Sequence, residues 1–286
     1  MIRLVVSGAA DNACRKAALR LRGATLAASL DPTTCDAAVF VGAVPPEHGA
    51  IECLLQAKKH VFLATEACLS GDVMESLAAV ARQGGVQFAI ENPDHYLPSR
   101  QLLRRQLDTG KLGAAGLVRI HRWEPAAVDG RRTFLGFHAA LVRDLELAVW
   151  LMGKPPNLVY AVGAVDGRYL QVHLGFPDGG MALIDHCERL PPGDGYQSVS
   201  VIGSAGAAYA DDHQNMQLLY RGGNPQAVQS DEAAEGLSAL VLDFVDALRT
   251  GRELRPTVAV WRATETILAA MRCSLELRQA VPLEGG

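Results

Sequence analysis

Three stretches of this sequence hold side chains able to carry a proton or grip an anion. In Glu91-Asn92-Pro93-Asp94-His95-Tyr96, the Asn-Pro pair is a turn signal. His95 and Tyr96 present polar tips there that suit a cleft lining or a packed domain junction. His138 lies in Gly136-Phe137-His138-Ala139-Ala140; an imidazole titrates near neutrality, but in an aromatic and apolar stretch it serves equally as a packing residue. Arg143, Asp144 and Glu146 follow within one helical turn. The guanidinium stays protonated, so Arg143 is no base, but it can clamp a carboxylate or phosphate with two parallel bonds. The plainer expectation is that Asp144 and Glu146 pair with it on a solvated helix face. His121, His173 and His186 offer zinc-type ligands only if they face one another, and such scattered histidines are usually unrelated. No metal site is expected.

The elements that must hold these groups fall into two rhythms. The chain opens Met-Ile-Arg-Leu-Val-Val-Ser-Gly-Ala-Ala-Asp-Asn, an apolar strand running into a turn. Dinucleotide-binding folds place three spaced glycines in that turn, because bare backbone can approach a diphosphate at a helix N-terminus. Only Gly8 is present. Helices are expected over residues 13–21, 47–58 and 72–82, with Ile51, Leu54 and Leu55 on one face of the second. Strands are expected over residues 4–7, 25–30, 37–44, 61–64 and 86–90. This alternation predicts a parallel α/β layer over roughly the first 115 residues. The later chain reads as strands over residues 116–123, 158–165, 168–176, 181–189 and 198–202, with a hairpin signal at Pro177-Asp178-Gly179-Gly180. Helices over residues 141–152, 237–250 and 258–276 flank that set, which predicts an antiparallel sheet covered on one side. The expected division is 1–115 and 116–286.

With 286 residues, 49% of them hydrophobic, the chain can bury a sizeable core. A formal net charge of -4 gives no basic footprint for nucleic acid. The six cysteines form no C-x-x-C pair, so buried reduced thiols are expected rather than a zinc knuckle or disulfide framework. The first apolar run is too short for a signal peptide, and no stretch approaches the ~20 apolar residues of a membrane span. The expected setting is cytoplasmic, with no membrane partner.

Several phrases occur in a telling order: Asp36-Ala-Ala-Val-Phe-Val-Gly-Ala-Val-Pro-Pro-Glu-His48, Ala57-Lys-Lys-His-Val-Phe62, Leu107-Asp-Thr-Gly-Lys-Leu-Gly113, Leu145-Glu-Leu-Ala-Val-Trp-Leu-Met-Gly153, Val201-Ile-Gly-Ser-Ala-Gly206 and Phe244-Val-Asp-Ala-Leu-Arg-Thr-Gly251. Over nearly its whole length the chain resembles the Gfo/Idh/MocA family of glucose-fructose oxidoreductase and inositol dehydrogenase relatives. The resemblance implies a Rossmann-like parallel sheet, here shortened, followed by an α/β domain whose large, open, mainly antiparallel sheet forms dimers or tetramers. It implies NAD or NADP as cofactor and a sugar- or polyol-like substrate.

The same resemblance marks departures. The family's glycine loop falls on Gly8-Ala9-Ala10-Asp11-Asn12-Ala13, where side chains replace two glycines and Asp11 adds a negative charge, or where Asp11 or Asn12 simply caps a helix. Gly8, Ala9 and Pro45 are the implied dinucleotide contacts. Asp31 falls at the ribose-binding acid, or is a turn residue before Pro32. The family's Glu-Lys-Pro motif falls on Ala64-Thr65-Glu66, which removes the catalytic lysine; Glu66 is then a substitute base or a helix N-terminal acid. The family's acidic and histidine positions on the later helix fall on Glu146 and Arg143. The candidate catalytic set is therefore Glu66, His95, His138, Arg143 and Glu146. The missing glycines, lysine and histidine favour a small-molecule-binding or regulatory subunit without hydride transfer. The alternatives are an NAD(P)-dependent dehydrogenase and a cofactor-independent lyase or hydrolase in the same cleft.

Overall fold

The computed structural model describes residues 1–8, 24–27, 29–42, 47–65, 69–126, 136–164, 167–192, 195–211, 216–219, 226–229, 232–254 and 257–283. The chain divides into two compact units: Met1–Leu97 with Arg131–Arg143 and Ala233–Glu265, and Pro98–Gly130 with Asp144–Glu232 and Thr266–Gly286.

The first unit is built on β1 (Ile2–Gly8), β2 (Ala24–Leu26), β3 (Ala37–Gly42), β4 (His60–Thr65) and β5 (Phe88–Ile90). All pair in parallel in the order β2-β1-β3-β4-β5. Sequence alternation gives the sheet two apolar faces. Leu4, Val39, Val41 and Phe62 lie in one core cluster; Val5, Ala38, Phe40, Val61 and Leu63 lie in the other. Helices α1 (His48–Gln56) and α2 (Gly71–Gly84) cover the second face through Ile51, Leu54, Leu55, Leu77 and Ala81. Ser70 caps α2 by accepting from the Val73 amide, and Gly85 ends it in the left-handed region at φ 67°.

The first face is covered by a helix from much later in the chain. Leu240, Val241, Phe244 and Val245 pack on it, and the Phe62 and Phe244 rings stack at 4.7 Å. They belong to a helix over Glu232–Thr250. This corrects the expectation that residues 237–250 flank the antiparallel sheet. The helix's apolar stripe reads the same for either sheet, and only tertiary packing decides its partner.

The second unit contains the helix α3 (Pro98–Asp108) and strands β6 (Ala115–Pro125), β7 (Leu158–Gly163), β8 (Tyr169–Gly175), β9 (Met181–Leu190), β10 (Tyr196–Gly203) and β11 (Ala207–Asp211), with β14 (Val281–Pro282) at one edge. The order is β11-β10-β6-β9-β8-β7-β14. Every described pair is antiparallel except β6 with β9, which run parallel. The fold is thus α/β, with a parallel sheet and a second, mainly antiparallel one. The Pro177–Gly180 turn joins β8 to β9 as expected, with Gly179 at φ 80°. Strands β12 (Met216–Leu219) and β13 (Gln226–Gln229) form a separate ribbon.

Three helices complete the set: α4 (Ala139–Met152), α5 (Glu232–Thr250, the helix on the first sheet) and α6 (Thr257–Leu277). The later part of α6 reaches the second sheet, where Ser274 Oγ accepts from the Ala161 amide at 2.9 Å. No helix among the described residues is long and apolar enough to cross a membrane.

Candidate functional site

The carboxyl edge of the parallel sheet is formed by Gly8, Gly42, Thr65 and Ile90, the last residues of β1, β3, β4 and β5. In a sheet of order 2-1-3-4-5 the connections leave in opposite directions at β1 and β3, and that edge is where such folds bind ligands. Gly8 has φ 131°, and a Cβ there would fall 1.7 Å from the Val41 carbonyl oxygen. The close approach of β1 to β3 therefore requires this glycine whatever lies beyond it. Ala9, Pro45 and Glu66 lie outside the described residues, as do Asp11, Asn12 and the helix expected over 13–21. Asp31 sits on an exposed turn; its Oδ1 accepts from both the Thr33 amide and the Thr33 hydroxyl at 2.8 Å. Those bonds from Thr33 hold its carboxyl below the usual range.

Beyond β5 a 3-10 turn, Pro93–Tyr96, gathers the polar groups. Asn92 is buried and works in two directions. Its Oδ1 accepts from the Asp94 amide at 3.0 Å, and its Nδ2 donates to the Arg143 carbonyl at 2.9 Å. The Arg143 guanidinium reaches Asp94 Oδ1 at 3.4 Å. His95 Nδ1 lies 2.9 Å from Glu91 Oε1. With Nδ1–H donating to that carboxylate, the ring's lone pair falls on Nε2, the tautomer a proton acceptor needs. Two segments 49 residues apart thus bring Glu91, Asn92, Asp94, His95 and Arg143 into one cluster. His138 serves the start of α4, where its Nδ1 accepts from the Ala140 amide at 3.3 Å.

Glu146 lies on α4 and is half-buried. Asp144 contradicts the expected solvated helix face. It is fully buried, and Arg122 of β6 holds it through Nε at 3.0 and 2.8 Å and through Nη2 at 2.8 Å. A buried carboxylate is tolerable only with such charge-assisted bonds. Sequence proximity to Arg143 misled because successive residues on a helix do not face each other.

The strand histidines do not share a face. His186 is fully buried beside Ala182 and Ile184 on the inner side of β9, with Nε2 3.2 Å from Glu188. His121 and His173 alternate with buried residues of β6 and β8 and lie on the other side, where His121 approaches Asp185 at 3.3 Å. The thiols also differ from expectation: Cys35 is buried, but Cys53 and Cys273 are exposed.

Sequence reasoning passed over Glu91, Asp94 and Asp243 as partners. The Glu91–His95 spacing of four is the one local signal in the sequence for that pair. Arg143 with Asp94, and the Tyr96 hydroxyl donating to Asp243 at 2.9 Å, join distant segments and leave no local signal.

A parallel sheet with a polar cluster at its carboxyl edge, and a second, mainly antiparallel sheet, define a two-part α/β fold. No protein-family profile matches the chain. It is 28% identical over 188 residues to the uncharacterized oxidoreductase YrbE of Bacillus subtilis, covering 61% of this chain and 55% of that protein. It is 27% identical over 167 residues to the myo-inositol dehydrogenase Hyg17 of Streptomyces leeuwenhoekii, covering 56% of this chain and 51% of that one. The matched part thus spans about half the length of these two relatives. The structure superposes on the scyllo-inositol dehydrogenase of Lactobacillus casei with bound NAD(H) and scyllo-inositol, at TM-score 0.77, 17% identity and 99% of each chain, which establishes a shared fold. The chain is thus similar in sequence to an oxidoreductase and an inositol dehydrogenase and shares the fold of inositol dehydrogenases, in line with the resemblance to the Gfo/Idh/MocA family that its ordered phrases carry.

Proposed function

We propose that the chain is an NAD(P)-dependent oxidoreductase acting on a sugar- or polyol-like substrate. The observation that carries this reading is the Glu91–His95 pair, at 2.9 Å, in a polar cluster at the carboxyl edge of the parallel sheet. Bound NAD or NADP supplies the hydride acceptor for alcohol oxidation. Gly8 fits the opening of a dinucleotide turn, since only a glycine is compatible with its approach to Val41. Asp31 at the end of the β2 connection, with Ala9 and Pro45, completes the proposed contacts.

The chain's own residues handle the substrate. An oxidised alcohol releases its hydroxyl proton, and His95 is the group of suitable chemistry, with Glu91 orienting the ring. His138 is less suited, because a proton on Nδ1 would displace the Ala140 amide. Arg143 stays charged and donates to a substrate oxygen, while Asp94 accepts from a hydroxyl. Glu66 and Glu146 remain candidates for further substrate contacts.

Dehydrogenase chemistry is favoured over a subunit without hydride transfer by the oxidoreductase and dehydrogenase names of the two sequence relatives. On this reading residues 1–115 supply the dinucleotide domain and 116–286 the substrate domain, in the cytoplasm. Dimer or tetramer formation through the open sheet is supported by Leu158, Val162, Tyr169, Met181 and Ile202, exposed on the face away from the buried strand residues.

The test is turnover of myo- or scyllo-inositol with NAD+ or NADP+, read as absorbance of the reduced nicotinamide, together with thermal shifts on adding each dinucleotide. Replacing His95 by Asn is expected to lower kcat by about 10²–10⁴ while dinucleotide binding persists. Absence of both a thermal shift and turnover would overturn the proposal.

A further inference from the structure

The strand that delivers His95 meets its own sheet along one side, where the Val61 amide donates to the Gln87 carbonyl and the Glu91 amide to the Leu63 carbonyl, both at 2.9 Å. β5 has three residues, stands at the sheet's edge and, among the described residues, pairs with β4 alone. A turn hung on so short an edge strand needs another reference to hold an imidazole in one place. The region around α5 provides it at both ends of β5. Before the strand, Gln87 Nε2 donates to the Arg252 carbonyl and Gln87 Oε1 accepts from the Leu254 amide, both at 2.9 Å. Beyond it, the Tyr96 hydroxyl donates to Asp243 Oδ2 at 2.9 Å. Arg252 closes the circuit by donating from Nη2 to Asp243 Oδ1 and to the Asp243 carbonyl.

A second observation marks the same contact. Gly236 of α5 lies against the exit of the turn. A Cβ there would sit 3.0 Å from Leu97 Cδ2 and 3.2 Å from both the Leu97 nitrogen and the Tyr96 carbonyl oxygen. The helix backbone therefore rests directly on the chain that leaves His95.

We infer that Tyr96, Asp243 and Gly236 are positioning residues for His95, fixing its ring against Glu91 from a helix that itself carries no chemistry. The inference rests on the assignment of His95 as the proton-handling group. Stability alone does not explain the Arg252–Asp243 pair that closes the circuit. The Arg252 and Asp243 side chains are 45% and 40% exposed, and exposed ion pairs contribute little. Geometry does explain it, because a displacement of about 1 Å at a reacting group costs on the order of 10² in rate.

The test uses the full chain with Tyr96→Phe, Asp243→Ala and Asp243→Asn. Steady-state kinetics with NAD+ and myo-inositol are read beside the downfield NMR proton of the His95–Glu91 bond, assigned through Glu91→Gln. Tyr96→Phe and Asp243→Ala are expected to lose about tenfold or more in kcat, with KM for NAD+ and the thermal midpoint nearly unchanged, and to shift the downfield proton. Asp243→Asn keeps an oxygen for the Tyr96 hydroxyl and should stay close to the parent. An unmoved proton signal in both Tyr96→Phe and Asp243→Ala overturns the inference. A signal that moves in a protein without turnover counts against the dehydrogenase assignment and still supports the positioning.

Discussion

The two ends of the parallel sheet use the same residue types for different ends. At the amino end, Asp36 takes the Arg3 amide at 2.8 Å and its guanidinium at 2.7 and 3.2 Å; His60 Nδ1 takes the Gln87 amide at 3.0 Å. At the carboxyl end, Arg143 meets Asp94 at 3.4 Å, and His95 meets Glu91. Asp36 and His60 each accept from a backbone amide and so staple strands together. The contacts at the carboxyl end link side chain to side chain, at the edge where a substrate enters such sheets. A side chain spent on a backbone amide cannot be redirected without loosening the fold. One paired with another side chain can exchange that partner for a ligand.

The largest effect is expected at the carboxyl end, from Gly8→Ala. The added Cβ would lie 1.7 Å from the Val41 carbonyl oxygen, at a φ of 131° that L residues rarely adopt. Either β1 and β3 separate or the end of β1 refolds. Strain and overpacking together are expected to cost about 2–6 kcal/mol, read as a lowered urea midpoint. A variant as stable as the parent would show that β1 ends without pressing on β3, and would remove the structural reason for that glycine.

The parallel layer was legible because its signals are local. The apolar run after Asp36 and the Ile51, Leu54 and Leu55 spacing each fix an element by themselves. Helix α3 had no such signal. Its sequence Pro-Ser-Arg-Gln-Leu-Leu-Arg-Arg-Gln-Leu-Asp carries its apolar face on Leu102, Leu103 and Leu107 alone, too few residues to stand out among the arginines and glutamines, and of the three only Leu103 is buried. The parallel pairing of β6 with β9 was equally hidden, since hairpin signals describe only neighbours in sequence. At the site, the turn after β5 was visible as Asn92-Pro93. The Asp94 and Asp243 partners were not, because nothing in a local window encodes a contact 49 or 147 residues away.

At the amino end, the His60 contact predicts a moderate, pH-dependent effect. Burial pushes this imidazole below its ordinary value of 6.5, and its Nδ1 must stay unprotonated to accept the Gln87 amide. The unfolded chain then binds the proton more readily than the folded one. The stabilisation is full above pH 6.5 and is lost as pH falls through the lower folded value. His60→Asn retains an acceptor but does not titrate. It is expected to flatten the fall in stability below pH 6.5, with a difference of about 1 kcal/mol, measured by urea denaturation across that range. Parallel curves for the two proteins would show that the bond survives protonation.

The smallest effect is expected where the geometry is best. Arg3 grips Asp36 with two side-chain bonds, yet their side chains are 46% and 37% exposed, and water screens such pairs. The Arg3 guanidinium and amide still hold the Asp36 carboxyl down at about 2, against an ordinary 3.8. Its folded value is depressed, so the contribution is complete above pH 3.8 and disappears as pH falls through about 2. Arg3→Met is therefore expected to shift the thermal midpoint at neutral pH by less than about 3 °C, and to lose less of its stability than the parent between pH 3.8 and 2. Because this end of the sheet is assigned no chemistry, kcat at neutral pH should not change. A variant that keeps its fold but loses turnover would erase the division of labour between the two ends.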